Sequence, residues 1–304
     1  MSALDRHYLD MALALASQGL YSTMPNPRVG CVIVNDGQVV GRGWHQRAGQ
    51  AHAEVHALQE AGPAARGATA YVTLEPCGHH GRTPPCADAL VAAGVRRVVT
   101  ASADASQSIG ALRLREAGIA VEAMPCPTAR ALNRGFFSRI ERQRPWVRVL
   151  RPAALAIGAM GEGAMLSHCD EQAPLEYWRG RASALLTTCD WVKACDPSLL
   201  AHVPAQRVEP VTPLRVVVDQ VLDCPASAKV LDGLAPTLVL HTAQATRDGR
   251  YARARCQVIE EVDARRVLQA LYELDCNEVQ VEAQPAWCEA LARQGLVDEW
   301  LVQV

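Results

Sequence analysis

Hydrophobic and polar positions along the first 142 residues alternate between helical and strand spacing. Within 5–17, Leu9, Ala12, Leu13 and Ala16 recur at helical intervals ahead of Gly19, predicting an amphipathic helix. Residues 29–34 form an apolar run rich in β-branched side chains. Asn35-Asp36-Gly37 is a hairpin turn, and 38–43 returns as the second arm. A helix over 52–61 is stopped by Gly62-Pro63. Strands at 68–74, 97–101 and 119–123 then alternate with helices at 85–93 and 110–117, which end at Gly94 and Gly118, and one long helix spans 128–142. A hairpin followed by βα units implies a mixed sheet covered by helices.

Gln143-Arg144-Pro145 reads as a linker, since proline disfavours helix in the residue before it. The chain is accordingly divided into 1–144 and 145–304. The second part resumes α/β alternation, with strands at 146–150, 184–188, 214–218, 237–240, 278–281 and 297–302 and helices at 263–274 and 285–293. There is no internal repeat and no low-complexity tract.

Composition narrows the class. A length of 304 residues suits two domains, and 49% apolar with 20% charged residues is the balance of a soluble globular protein. Disorder, collagen-like repeats and coiled coil are excluded, and apolar runs broken by Gly, Arg or Pro fit no membrane span. The first ten residues contain acids and no apolar segment, so no signal peptide is expected. A net charge of −2 gives no footprint for nucleic acid or an anionic membrane. Eleven cysteines without secretion predict reduced thiols in a cytoplasmic protein, and a metal among them. Only Lys193 and Lys229 are lysines, so amine chemistry has two candidates.

The chemistry concentrates in His52-Ala53-Glu54, then Pro76-Cys77, then Cys86. Zinc takes imidazole nitrogen and thiolate sulfur, and a catalytic site combines three protein ligands with a water whose pKa falls to about 7. His52, Cys77 and Cys86 supply three ligands. Glu54, two residues after the first and not a ligand, can carry the proton that hydrolytic deamination must move. This is the zinc deaminase pattern, with the usual short cysteine spacing widened to eight intervening residues. A competing metal pair, His52 and His56, lacks the acid placement of a metalloprotease helix, so His56 is read as packing or hydrogen-bonded. The other nine cysteines show no C-x-x-C pair and read mostly as core thiols.

Pro25-Asn26-Pro27-Arg28-Val29-Gly30-Cys31-Val32-Ile33, Gly43-Trp44-His45, His52-Ala53-Glu54-Val55-His56-Ala57-Leu58 and the run from Thr73 to Cys86 stand in one order. Together they resemble the deaminase half of the bifunctional riboflavin-biosynthesis deaminase/reductase family. The His79-His80-Gly81-Arg82-Thr83-Pro84-Pro85-Cys86 loop separates that group from cytidine, tRNA and DNA deaminases. The resemblance is close over 1–142 and covers the rest in outline. It implies an α/β chain: a cytidine-deaminase-like domain with a mixed sheet, then a dihydrofolate-reductase-like α/β domain. It implies zinc held by His52, Cys77 and Cys86, Glu54 as proton shuttle, and Asn26, His45, Ala53, His79, Arg82, Thr83 and Asp104 around the substrate. That substrate is a phosphoribosylated diaminopyrimidine, 2,5-diamino-6-(5-phosphoribosylamino)pyrimidin-4-one. Arg82 suits bidentate phosphate binding. The family's D-P-N-P reads Asp104-Ala105-Ser106-Gln107 here, so recognition of the sugar phosphate is expected to differ.

Against the same family, the second half departs further. The lysine of P-Y-x-x-L-K is Leu150, and S-L-D-G reads Ala154-Leu155-Ala156-Ile157. G-E-S-x-W reads Gly161-Glu162-Gly163-Ala164-Met165. D-D-P-x-L-T-x-R begins with Cys195 and ends with His202, and V-E-G/A-G-P carries Gln284 where a glycine would let the backbone approach a phosphate. The sequence closes at Val304 in a strand after which the family continues. The expectation is a degenerate reductase domain that does not bind NADPH and is retained for packing or homo-oligomerisation. The product then keeps its ribose ring unreduced, as in a side pathway from riboflavin synthesis to a toxoflavin-like metabolite.

Overall fold

Helix α1 (Ala3–Ser17) starts where Ser2 and Asp5 cap each other. The Ser2 hydroxyl accepts the Asp5 N–H at 3.1 Å, and the Asp5 carboxylate accepts the Ser2 N–H at 3.2 Å. This computed structural model describes residues 2–80, 84–103, 109–151, 163–170, 173–246 and 248–303. The chain forms two compact units, 1–141 with 206–209, and 142–205 with 210–304. The division falls three residues before the one read from the linker, and the short 206–209 segment belongs with the first unit.

In the first unit, β1 (Gly30–Asn35), β2 (Gln38–Trp44), β3 (Thr69–Val72), β4 (Arg97–Thr100) and β5 (Ala120–Ala123) lie in the order β2-β1-β3-β4-β5. Strand β1 is antiparallel to β2 and β3, whereas β3, β4 and β5 are parallel, giving the mixed sheet. Asn35 pairs with Gln38, so Asp36 and Gly37 alone make the turn, at φ 47° and 76°. Both positive φ values match the right-handed twist of a hairpin. Helix α2 (Ala53–Ala61) lies on β2 at a distance only glycine permits. A Cβ on Gly43 would stand 2.1 Å from the Ala53 carbonyl, and one on Gly41 2.1 Å from that of Ala57. Helices α3 (Cys86–Ala92) and α4 (Ile109–Glu116) complete the cover, and Ile33, Ala57, Val72, Leu90, Val98 and Leu114 are fully buried in the core.

The long helix predicted over 128–142 is two, α5 (Pro127–Leu132) and α6 (Arg134–Arg142). The break is Asn133, a buried residue whose Oδ1 accepts the Arg28 N–H at 2.7 Å while its Nδ2 donates to the Arg28 carbonyl at 2.9 Å. Asparagine competes with the helical backbone for hydrogen bonds, and here its amide ties a distant segment instead.

Among the described residues the second unit holds eight parallel strands: β6 (Trp146–Leu150), β7 (Met165–Cys169), β8 (Ala184–Thr188), β9 (Leu214–Val218), β10 (Thr237–His241), β11 (Arg255–Val258), β12 (Glu278–Val281) and β13 (Glu299–Gln303). Their order is β11-β10-β9-β8-β12-β6-β13-β7. Helices α7 (Leu175–Arg181), α8 (Cys189–Cys195), α9 (Ala264–Glu273) and α10 (Pro285–Arg293) accompany them. Strands β7 and β11, with α7 and α8, escaped the sequence pattern. The two strands are sheet edges with exposed residues, where little burial imposes alternation. One face of the sheet packs Val147, Val149, Val279, Val281 and Trp300 against α9 and α10. The other face of β6, β12 and β13 buries Arg148, Glu278, Gln280 and Glu299. Among the described residues no helix is long and apolar enough to cross a membrane.

Candidate active site

His52 is the residue before α2 begins, with extended backbone, and Glu54 enters the first turn of that helix. Cys77 lies in the loop after β3, and Cys86 opens α3. His52 Nδ1 lies 3.2 Å from Cys86 Sγ and 3.7 Å from Cys77 Sγ, and all three donor atoms fall within 4.8 Å of one another. A tetrahedral ion with bonds of about 2.0–2.3 Å sets its ligands roughly 3.3–3.8 Å apart, so an N/S₂ set at these separations suits zinc. A second observation agrees: Glu54 is buried and its Oε2 has no hydrogen-bond partner. His56 stays outside the trio, its Nε2 buried without a partner.

The electrostatics follow from the crowding. Hydrogen bonding to Cys86, then to His52, draws the Cys77 thiol down towards thiolate, and that same bond with burial pushes the Cys86 thiol up. The hydrogen bond to Cys77 raises His52. Burial raises the Glu54 carboxyl against the pull of His52. All eleven cysteines are free thiols.

The loop carrying Cys77 is fixed from behind. Cys86 N–H donates to Cys77 Sγ at 3.3 Å, Ala87 N–H to the Cys77 carbonyl at 3.1 Å, and Arg113 to the Gly78 carbonyl at 3.0 Å. Buried Glu75 accepts the Ala111 N–H at 3.0 Å, which seats α4, and Gly110 touches the Pro76 carbonyl so closely that no Cβ fits. Glu75 lies within the Thr73–Cys86 run and Gly110 at a predicted helix start, but the supporting contacts of Glu75, Gly110 and Arg113 are made to backbone atoms and leave no spacing motif.

Of the residues assigned to substrate by resemblance, Asn26 and His45 meet: Asn26 Nδ2 lies 3.1 Å from His45 Nε2. His45 Nδ1 is 3.1 Å from the Ala51 carbonyl, and its ring meets that of His52 edge-on at 5.2 Å. Those bonds suit a neutral imidazole protonated on Nδ1, and burial holds its pKa down at about 4. Ala53 is fully buried at the start of α2, and His79 is exposed in the loop between the two cysteines. Arg82, Thr83 and Asp104 lie outside the described residues, as do Ala154, Leu155, Ala156, Ile157, Gly161 and Glu162.

In the second unit, Gln284 precedes α10, and its side-chain oxygen accepts the Thr188 hydroxyl at the end of β8. Strands β8 and β12 are parallel neighbours, so this bond spans the C-terminal ends of adjacent strands, where open parallel sheets place ligands. Cys195 and His202 are exposed. Lys193 pairs with Asp223 at 2.7 Å and Lys229 with Asp196 at 3.6 Å, so both lysines are engaged on the surface.

Two family descriptions match the chain: the cytidine and deoxycytidylate deaminase zinc-binding region over residues 2–102, and the RibD C-terminal domain over 157–304. The riboflavin biosynthesis protein RibD of Escherichia coli K12 is 38% identical over 322 aligned positions, covering 99% of this chain and 87% of that protein. The diaminohydroxyphosphoribosylamino-pyrimidine deaminase of Buchnera aphidicola is 44% identical over 145 residues, 46% of this chain and 99% of that one. The structure of Acinetobacter baumannii RibD superposes with a TM-score of 0.84 at 37% identity, covering 97% of this chain and 84% of that one. The zinc-binding description spans His52, Cys77 and Cys86, where the donor atoms converge. The chain therefore belongs to the RibD family of riboflavin-biosynthesis deaminase/reductases, and it is a zinc-dependent pyrimidine deaminase.

Proposed function

We propose that the N-terminal unit hydrolyses 2,5-diamino-6-(5-phosphoribosylamino)pyrimidin-4-one to its 5-aminouracil counterpart, releasing ammonia, and that the C-terminal unit has lost NADPH-dependent reduction. The observation that carries the first part is the unpartnered, buried Glu54 carboxylate oxygen beside three converged zinc donors. The Buchnera relative, which aligns with 46% of this chain, is named for that deamination.

Zinc held by His52, Cys77 and Cys86 would activate water as a nucleophile near neutral pH. The net reaction forms a C2–O bond and breaks the C2–N bond to the amino group. Glu54 takes the water's two protons in turn at its free Oε2, delivering one to the ring nitrogen and one to the amino group that leaves as ammonia. Asn26 and His45, bonded to each other, orient the pyrimidine, and the backbone at Ala53 meets its edge. His79, Thr83 and Asp104 belong around the substrate in this reading, and Arg82 binds its phosphate.

Loss of the reductase rests on Leu150, Cys195, His202 and Gln284 together. The Gln284 side chain bonded to Thr188 occupies the strand-end position where the family's glycine admits a phosphate. The competing reading, a bifunctional enzyme that keeps NADPH chemistry, draws on the RibD C-terminal match over 157–304. An unreduced ribosyl product suits a branch from riboflavin synthesis to a toxoflavin-like metabolite. In this reading the chain works in the cytoplasm as a homo-oligomer on a small phosphorylated pyrimidine, without nucleic acid or membrane.

The test is incubation with the diaminopyrimidine phosphate, with and without NADPH, followed by mass spectrometry. Ammonia and the unreduced uracil product are expected under both conditions. Absence of ammonia overturns the deaminase assignment. An NADPH-dependent gain of two hydrogens, or rescue of a riboflavin auxotroph lacking both activities, overturns loss of the reductase.

A further inference from the structure

A second set of ligand-type side chains converges in the C-terminal unit. Cys189, Asp219 and Cys224 each offer one donor atom; the three atoms lie within 4.8 Å of one another and all three residues are buried. Cys189 follows β8 directly, Asp219 follows β9, and Cys224 comes five residues later. Strands β8 and β9 are parallel neighbours, so the three residues gather past the C-terminal ends of adjacent strands.

Asp219 separates this cluster from a chance pair of core thiols. Its side chain is 1% exposed. Oδ2 accepts the Tyr251 hydroxyl at 2.7 Å and the Cys224 N–H at 3.0 Å, and Oδ1 accepts the Asp223 N–H at 3.0 Å. All three donors are neutral, so they fix the carboxylate without cancelling its charge. Among the described residues Asp219 forms no direct ion pair: Lys193 pairs with Asp223 and Arg250 with Asp248, each at 2.7 Å, although Arg250, which also donates to the Leu222 and Cys224 carbonyls, lies near enough for its charge to reach Asp219. A carboxylate taken out of water without a counter-charge in direct contact is costly. Oδ1 accepts that one backbone bond and the Cys224 thiol also hydrogen-bonds the carboxylate, so loss of the thiol proton to a cation would free an acceptor lone pair. Outer hydrogen bonds that orient a carboxylate while leaving it a lone pair are typical of metal-ligating acids.

We propose that Cys189, Asp219 and Cys224 form a second metal site, for a thiophilic divalent cation of the zinc class. Two sulfurs and one carboxylate oxygen are a borderline-soft donor set, which favours zinc over magnesium or calcium. Binding displaces the two thiol protons to solvent, so the cluster keeps its net charge of −1 while the cation places positive charge in direct contact with the Asp219 carboxylate. The site is structural: it joins the turn after β8 to the segment after β9.

Metal stoichiometry of the full-length protein tests this without reference to activity. After reconstitution with zinc and desalting, elemental analysis is expected to give two zinc ions per chain. Cys77→Ala is expected to retain one, and the double variant Cys189→Ser/Cys224→Ser also one. In the Cys77→Ala background, cobalt is expected to give a sulfur-to-metal charge-transfer band that Cys189→Ser weakens. That background separates the two sites, because it reports on Cys189 whatever becomes of the deaminase centre. A metal-free Cys77→Ala chain overturns the proposal. So does a double variant with undiminished zinc, or a native chain whose denatured mass shows Cys189 and Cys224 joined as a disulfide. Should the serine variants fail to fold, the zinc content of Cys77→Ala decides alone.

Discussion

At the residue scale, Glu54 is the side chain whose environment packing alone does not explain. A buried carboxylate with an unpartnered oxygen is costly, and Glu54 tolerates this beside three zinc donors. Glu54→Gln keeps the shape and removes the ability to carry a proton. Its deaminase rate is expected to fall by about 10²–10⁴ while zinc content stays at the native level. Ammonia release with parallel elemental analysis measures both, and a near-native rate would remove Glu54 from the proton-transfer role. The convergence of His52, Cys77 and Cys86 was legible in the sequence, because ligand chemistry admits few residue types and imposes short spacings. Cys189 and Cys224 were not, since they sit on different strand ends with no shared motif. Glu75 and Gly110 were hidden for another reason: each acts on backbone atoms, which have no letter in the sequence.

At the element scale, the site depends on how closely α2 lies on β2. Gly43 touches the Ala53 carbonyl, and Ala53 stands between His52 and Glu54. Gly43→Ala forces a methyl group to 2.1 Å from that carbonyl, which the helix must relieve by moving its first turn. Overpacking of this kind costs typically 1–3 kcal/mol, and a backbone obstacle places it at about 3. The variant is expected to lose stability by denaturant titration, monitored by amide hydrogen exchange in α2, and to give up zinc more readily to a chelator. Gly249→Ala, with nothing within 4 Å of the added Cβ, is expected to leave both unchanged. Native behaviour of Gly43→Ala would show that helix position does not govern the metal site. Strands β6, β8, β9 and β12 and helix α10 lie where the apolar pattern puts them, because each strand repeats β-branched or aliphatic residues at strand spacing on the face packed against α9 and α10 or on the opposite face. The pattern fails where burial is weak, at edges β7 and β11, and where one polar side chain overrides helical spacing, at Asn133.

At the scale of the whole molecule, a net charge of −2 conceals where charge is buried. Arg148 is fully buried on β6, its Nη2 2.9 Å from Glu278 Oε2 and its Nε 2.9 Å from Glu299 Oε2, so one cation serves carboxylates on both neighbouring strands. Its guanidinium also lies over the Trp178 ring at 4.8 Å. Arg148→Met fills much of the volume but strips this cation from two buried acids. Such a loss costs about 3–5 kcal/mol, against about 0–1 for an exposed pair. Arg6–Asp10, with both side chains more than half exposed, is the control: Arg6→Met is expected to change stability by less than about 1 kcal/mol. Five of the six tryptophans (146, 178, 191, 287 and 300) fall in the C-terminal unit, so its unfolding dominates the fluorescence signal. The midpoint of that transition is expected to drop sharply for Arg148→Met and to recover in part for Arg148→Lys, which keeps the charge but not the two-way fork. Equal midpoints for Met and native chains would mean that the two glutamates are stabilised by something other than Arg148.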